Sequence, residues 1–319
     1  MKNKRYSFLL KALVSIALMT LLIWKIDLGR IITAFSGLDV AWFSLATFFF
    51  FLQQIIVAYC WKIVLDAQVS QVSLLKVTQV HFIGIFFGVL LPTSIGMDIV
   101  RAFSLSRHMT KKVDAMSSLF FVRVVGYFVF FFLALMFAMY VAIRSGNFVF
   151  AGIILGMAAL FVLLVWISLH PVFHKWIEKV LDKLKLWRFS SKLGEFRSST
   201  IALLNEKTVF IKVVAYSIFF QVFGIYIVYL VGRSVGIELG LVYYFIYVPV
   251  IMAITILPLS LAGIGLREGA FVFFFAPLGV PEAKSLTLSL LLFSQMLILA
   301  VIGGGIYLFS DVITSKTVH

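Results

Sequence analysis

The chain carries little charge for its length. Asp, Glu, Lys and Arg make up 13% of its 319 residues, against about 25% in an average soluble domain. It is also poor in cysteine. Cys60 stands alone, so an intrachain disulfide and a Cys-x-x-Cys metal site are both excluded. The five histidines show no His-Glu-x-x-His spacing, and no nucleotide-binding motif is present. Gly263-x-Gly265 is no dinucleotide fingerprint, because no strand precedes it. No polar stretch is long enough for an independent catalytic domain, which takes roughly 50 residues. The sequence therefore predicts no metal, no cofactor and no catalytic constellation.

What fills the chain instead is apolar: 63% of residues are hydrophobic, 35 of them Phe. A soluble globular protein, a disordered chain and a nucleic-acid-binding domain are ruled out, the last despite a net charge of +14. In a membrane protein that charge is the Lys and Arg of cytoplasmic loops. A bilayer core of about 30 Å takes about 20 apolar residues per helical span. Apolar runs fall at 8–24, 40–60, 77–91, 115–143, 148–169, 209–231, 241–257 and 286–309. The first follows Lys2-Asn3-Lys4-Arg5 and ends in Trp24-Lys25-Ile26-Asp27 with no small-residue cleavage site, so it reads as a retained span.

Two runs are short and end in proline, at Pro92 and Pro258. Each is followed by a glycine-containing break and a second short apolar segment, at 95–106 and 264–276. Pro interrupts a helix and Gly permits unusual dihedrals, so each unit is either a span plus a loop or a hairpin that returns to its own side. Loop charge discriminates. If all eight runs cross, most Lys and Arg fall outside. If both broken units are re-entrant, the basic loops 61–76, 92–114 and 170–208 and both termini become cytoplasmic. The expected fold is an all-α polytopic membrane protein, one domain over 1–319. It has eight hydrophobic segments: six full transmembrane helices and two Pro/Gly-broken re-entrant hairpins. Within 170–208, a cytoplasmic amphipathic stretch alternates Phe173, Trp176, Ile177, Val180, Leu181, Leu184 and Trp187 with lysines, as an interfacial anchor does.

The two hairpins enter from opposite sides, and their centres align without gaps. Leu91-Pro92-Thr93-Ser94-Ile95-Gly96-Met97-Asp98-Ile99-Val100-Arg101 matches Leu257-Pro258-Leu259-Ser260-Leu261-Ala262-Gly263-Ile264-Gly265-Leu266-Arg267 at Leu, Pro, Ser and Arg. Paired broken helices of this kind suggest an inverted repeat and a transport site. Ionisable residues within the membrane cost about 2.5–3.5 kcal/mol on insertion scales, so each needs a partner or a function. The candidates are Asp98, Arg101, Arg123, Arg267 and Glu268. A half-helix beginning just after Pro92 or Pro258 would aim its N-terminus at an anion. Ser94 and Ser260 would cap it or donate to the ligand. Arg101 and Arg267 would grip a phosphate with their planar forks. Asp98 and Glu268 would pair with the arginines or meet a headgroup amine. Pro92, Gly96, Pro258, Gly263 and Gly265 are the structural positions of the motifs. His81, Gln53, Gln54 and Gln221 read as residues that bond neighbouring helices, and Gly84-x-x-x-Gly88 as a close-packing notch.

The two motifs, Leu91-Pro92 through Arg101-Ala102-Phe103 and Pro258 through Arg267-Glu268-Gly269-Ala270, resemble signatures of a bacterial and archaeal family. It is the flippase-like membrane region of lysylphosphatidylglycerol synthase, also called multiple peptide resistance factor, and the resemblance covers about residues 8–310. It implies a protein of the cell (inner) membrane that moves a phosphate-bearing lipid, a phospholipid or a polyprenyl-phosphate-linked one, between leaflets. The aminoacyl-transfer domain that follows this region in the resistance factor is not in this sequence, which ends at His319. The alternatives are a membrane-embedded transferase acting on a lipid headgroup and a scaffold for envelope glycan or lipid assembly. A homo-oligomer stays open.

Overall fold

The apolar runs form helices whose ends follow local chemistry. The computed structural model describes residues 32–309 except 34, 69–71, 91–93, 107–108, 110, 174–176, 178–186 and 256–263, and only the backbone at 90, 94–96, 112 and 187–191. The expected first span, 8–24, lies outside the described residues, as do Pro92, Pro258, Ser260, Gly263 and most of the amphipathic stretch. The helices are α1 (Val40–Ala67), α2 (Leu74–Leu90), α3 (Ser94–Ser106), α4 (Lys112–Ser145) and α5 (Val149–Leu169), then α6 (Trp187–Asn205), α7 (Lys207–Ser234), α8 (Leu241–Thr255), α9 (Leu266–Phe275) and α10 (Glu282–Phe309). No strand occurs among the described residues.

Asp39 starts α1 by accepting the backbone N–H groups of Ala41 at 2.9 Å and Trp42 at 3.2 Å. Gly146, at φ 69°, ends α4 in the left-handed conformation that glycine adopts without strain. Helices α1, α4, α5, α7 and α10 are long and apolar enough to cross a membrane. The 28 residues of α1 span about 42 Å at 1.5 Å each. The 17 residues of α2 and 15 of α8 reach about 26 and 22 Å, short of a bilayer core.

Element order repeats. A long helix, two short ones and another long helix (α1–α4) are followed, after α5 and α6, by the same series (α7–α10). Helices α1 and α7 both have 28 residues, and the connections 68–73 and 235–240 are equally long. Packing repeats as well. Helix α2 lies on α10 as α8 lies on α4, α3 on α4 as α9 on α10, and α1 on α4 as α7 on α10. The pairs α1–α2 and α2–α3 likewise match α7–α8 and α8–α9, and α4–α7 matches α10–α1. The pair α1–α7 maps onto itself, and it runs antiparallel. The Asp39 N–H donates to the Ser234 carbonyl at 2.8 Å, Phe49 meets Phe223, and Tyr59 meets Tyr216. Residue numbers rise along α1 as they fall along α7.

Small residues bring the halves together. A Cβ on Gly303 of α10 would collide with the Phe82 carbonyl of α2, and one on Gly304 would lie 3.0 Å from the Phe86 ring. The Gly303-Gly304 pair is therefore a packing notch. Helix α6 lies on α4 and α7, where the Ser199 hydroxyl donates to Asp114 Oδ1 at 2.9 Å and Gln68 Nε2 donates to Ser199 at 2.9 Å. The segment 170–208 thus contains a packed helix. Inside α8, Pro249 has no N–H for the Phe245 carbonyl, an interruption that the sequence reading passed over.

Candidate functional site

Each half contributes a broken pair, and the two pairs face one cavity of about 640 Å³. Its wall is mostly apolar, with Phe50, Val57, Tyr127 and Phe130 among the lining residues. Asp98, Arg101, Arg123 and Arg267 also line it.

The first half supplies a cluster of three charges. Helix α3 begins at Ser94, two residues after Pro92, and places Asp98 and Arg101 on one face, three residues apart. Asp98 Oδ2 accepts from Arg123 Nη2 of α4 at 2.6 Å, and its Oδ1 lies 3.5 Å from Arg101 Nη1. Arg101 Nη2 donates to the His81 carbonyl at 3.4 Å. Its Nε is buried without a hydrogen-bond partner, an unusual state for a buried donor. A Cβ at Gly84 would sit 2.6 Å from that Nε and 2.5 Å from Arg101 Cγ. The glycine is the notch through which the arginine stem passes α2. Gly88 plays the same part for Met97, 3.0 Å from a Cβ there. His81 and Gln54 bond to each other at 3.1 Å, and Gln53 donates to the Phe220 carbonyl at 2.9 Å. These polar residues do join helices, as expected.

The second half is built differently. Helix α9 begins at Leu266, eight residues after Pro258, so Arg267 stands in its first turn whereas Arg101 stands two turns into α3. The residues directly after Pro258, where a half-helix was expected to start, lie outside the described residues. Gly265 immediately precedes α9 at φ 82°, a conformation that side chains resist. Its N–H donates to Glu268 Oε2 at 2.6 Å, where the carboxylate caps the helix. Glu268 Oε1 accepts from Arg267 Nη2 at 2.7 Å and from the Ser289 hydroxyl at 2.9 Å. Arg267 Nε donates to Ser289 at 2.8 Å, and its guanidinium lies 5.7 Å from the Phe293 ring centre. Glu268 is 1% exposed and its carboxylate fully engaged by protein donors. Ser289 and Phe293 of α10 were not singled out in the sequence, where nothing marks them but their place in an apolar run.

Of the seven expected binding residues, the structure brings Asp98, Arg101, Arg123 and Arg267 to one cavity and sets Glu268 directly behind Arg267. For Ser94 and Gly96 it describes only the backbone, in the first turn of α3. Among the described residues no group of His, Cys, Asp and Glu is arranged to hold a metal ion.

The family described as the lysylphosphatidylglycerol synthase TM region matches residues 8–304. The chain belongs to that family. The match spans both broken pairs and every residue lining the cavity. No curated protein and no solved structure matches the chain.

Proposed function

We propose that this family member moves a phosphate-bearing lipid between the leaflets of the cell membrane, with the headgroup passing through the cavity. The observation that carries the reading is that Arg101 and Arg123 from one half and Arg267 from the other line the same cavity. Three guanidinium groups face two carboxylates, Asp98 and Glu268, which leaves one uncompensated positive charge in a largely apolar enclosure. A buried charge without its counterion is costly, and an anion entering from outside restores the balance. The excess charge belongs to the first half, because Arg267 is already neutralised by Glu268.

The topology behind this function is six full spans and two re-entrant hairpins, with both termini cytoplasmic and the halves related as an inverted repeat. The antiparallel α1–α7 pair, the matched packing and the short α2 and α8 support it. Alternating access then follows from rocking one half against the other around a fixed site. With no nucleotide motif in the sequence, transport runs downhill or is coupled to an ion.

The test is leaflet exchange of a fluorescent phospholipid in vesicles containing the purified protein. Exchange should be present with the native chain and fall at least tenfold in Arg101→Ala and Arg123→Ala. Undiminished exchange in both variants would overturn the mechanism.

A further inference from the structure

A second concavity opens beside the first. Ile55, Ile56, Tyr59, Leu74, Tyr216 and Phe219 line an apolar groove of about 390 Å³ on the α1–α7 seam. Ile56 and Tyr216 also line the arginine cavity, so the two spaces share a wall two side chains wide. Tyr59, Leu74 and Phe219 are exposed on the outer surface, which places the groove between the lipid-facing side and the charged interior.

The repeat gives this groove a counterpart. Helices α1 and α7 correspond position by position, Val40 with Lys207 and Ala67 with Ser234, so Tyr59 corresponds to Tyr226 and Tyr216 to Phe49. The two rings at one end of the seam, Tyr59 and Tyr216, are 5.8 Å apart. Their equivalents at the other end, Tyr226 and Phe49, are 6.3 Å apart. The surroundings differ sharply. Phe49 and Tyr226 belong to a continuous run of rings in which Phe223, Tyr226, Tyr229, Tyr244 and Phe275 follow one another at 5.4–6.4 Å. Among the described residues, Tyr59 and Tyr216 have ring contacts only with each other. One end of the seam is plugged by aromatic packing and the other carries a groove.

We infer that the groove is the seat of an acyl chain of the transported lipid, and that the pairs Tyr59–Tyr216 and Phe49–Tyr226 are equivalent lateral gates for the two leaflets. This rests on the lipid-transport reading above. The occupant follows from chemistry and continuity. A headgroup anion held by Arg101 and Arg123 must keep its hydrocarbon out of the charged cavity, and the apolar exit sharing Ile56 and Tyr216 with that cavity leads to lipid. An unlinked apolar solute would not need the arginines, whereas a tethered chain does. In the structure Tyr59 and Tyr216 touch at the edge of the groove, whereas Phe49 and Tyr226 are packed within the aromatic run. Rocking of the halves exchanges these roles, because the same two helices carry both gates.

The experiment places a photoreactive benzophenone side chain at Phe219 in the full chain, in vesicles of phosphatidylglycerol and phosphatidylcholine, and measures lipid adducts by mass spectrometry. Phe132 of α4, 69% exposed and away from the groove, reports ordinary lipid contact. Adducts at Phe219 should favour phosphatidylglycerol and fall at least fivefold when Arg101→Ala and Arg123→Ala are introduced, while adducts at Phe132 stay unchanged. Leaflet exchange is measured on the same samples. Arginine-dependent exchange with arginine-independent adducts at Phe219 would overturn the groove assignment and leave the transport reading standing. Exchange that ignores the arginines would remove both.

Discussion

Replacement of Glu268 by Gln tests how the second half holds its arginine. The native carboxylate is 1% exposed and accepts from Arg267, Ser289 and the Gly265 N–H at 2.6–2.9 Å. An amide of the same shape keeps one acceptor. Its NH2 group must face either the Gly265 N–H or the guanidinium, donor against donor. Breaking a buried ion pair from one side costs about 3–5 kcal/mol. Arg267 keeps 17% of its side chain exposed, which relieves part of the stranded charge, so about 3 kcal/mol is expected. Removing the charge as well, in Glu268→Gln with Arg267→Met, should recover half or more of that loss, since an apolar chain of similar length needs no counterion. The assay is equilibrium unfolding of the purified protein in bicelles across this double-mutant cycle. A coupling of 1–3 kcal/mol is expected for groups in direct contact, whereas independent sites add within about 0.5 kcal/mol. Additive losses would refute the idea that Arg267 rests on Glu268, and with it the assignment of the excess positive charge to the first half.

Three further outcomes follow from the same geometry. Gly84→Ala should displace the Arg101 stem, since the new methyl would sit 2.5 Å from its Cγ; lipid exchange should fall severalfold in vesicles with little change in yield. Asp98→Asn removes the shared counterion of Arg101 and Arg123; it should tighten anionic lipid binding in a vesicle flotation assay while slowing exchange, because the site then releases its ligand less readily. Single cysteines replacing Met109 and Gly279 in a Cys60→Ala background should react with an impermeant maleimide from opposite sides of the membrane, and labelling from one side would contradict the pair of opposed hairpins.

Much of this arrangement could be read from the amino-acid order. Pro92 placed the break between α2 and α3 within a few residues, because proline acts locally. Asp98, Arg101, Arg123 and Arg267 stood out because charge inside an apolar run is costly wherever the run folds. Local signals said less about the second break. Pro258 marked it, and the start of α9 is set by Gly265, whose positive φ is stabilised by Glu268 reaching back to its N–H. That contact needs only three residues, but a Glu beside an Arg reads equally well as a pair bound for a headgroup. Other features were invisible because they depend on long-range packing. Ser289 and Phe293 are ordinary members of an apolar helix until α9 lies against α10. The role of Gly84 depends on an arginine 17 positions later. The correspondence of α1 with α7 is a matter of length and packing, since few residues coincide.

The central claim, that Arg101 and Arg123 of the first half hold a lipid phosphate in the cavity between the halves, is tested most directly by an experimental structure of the protein in a phosphatidylglycerol-containing bilayer disc. The account predicts phosphate density about 3 Å from the guanidinium nitrogens of Arg101 and Arg123, with a hydrocarbon tail leaving past Tyr59 and Tyr216. Headgroups confined to the membrane surface, with Asp98 still bridging both arginines at saturating lipid, would contradict it.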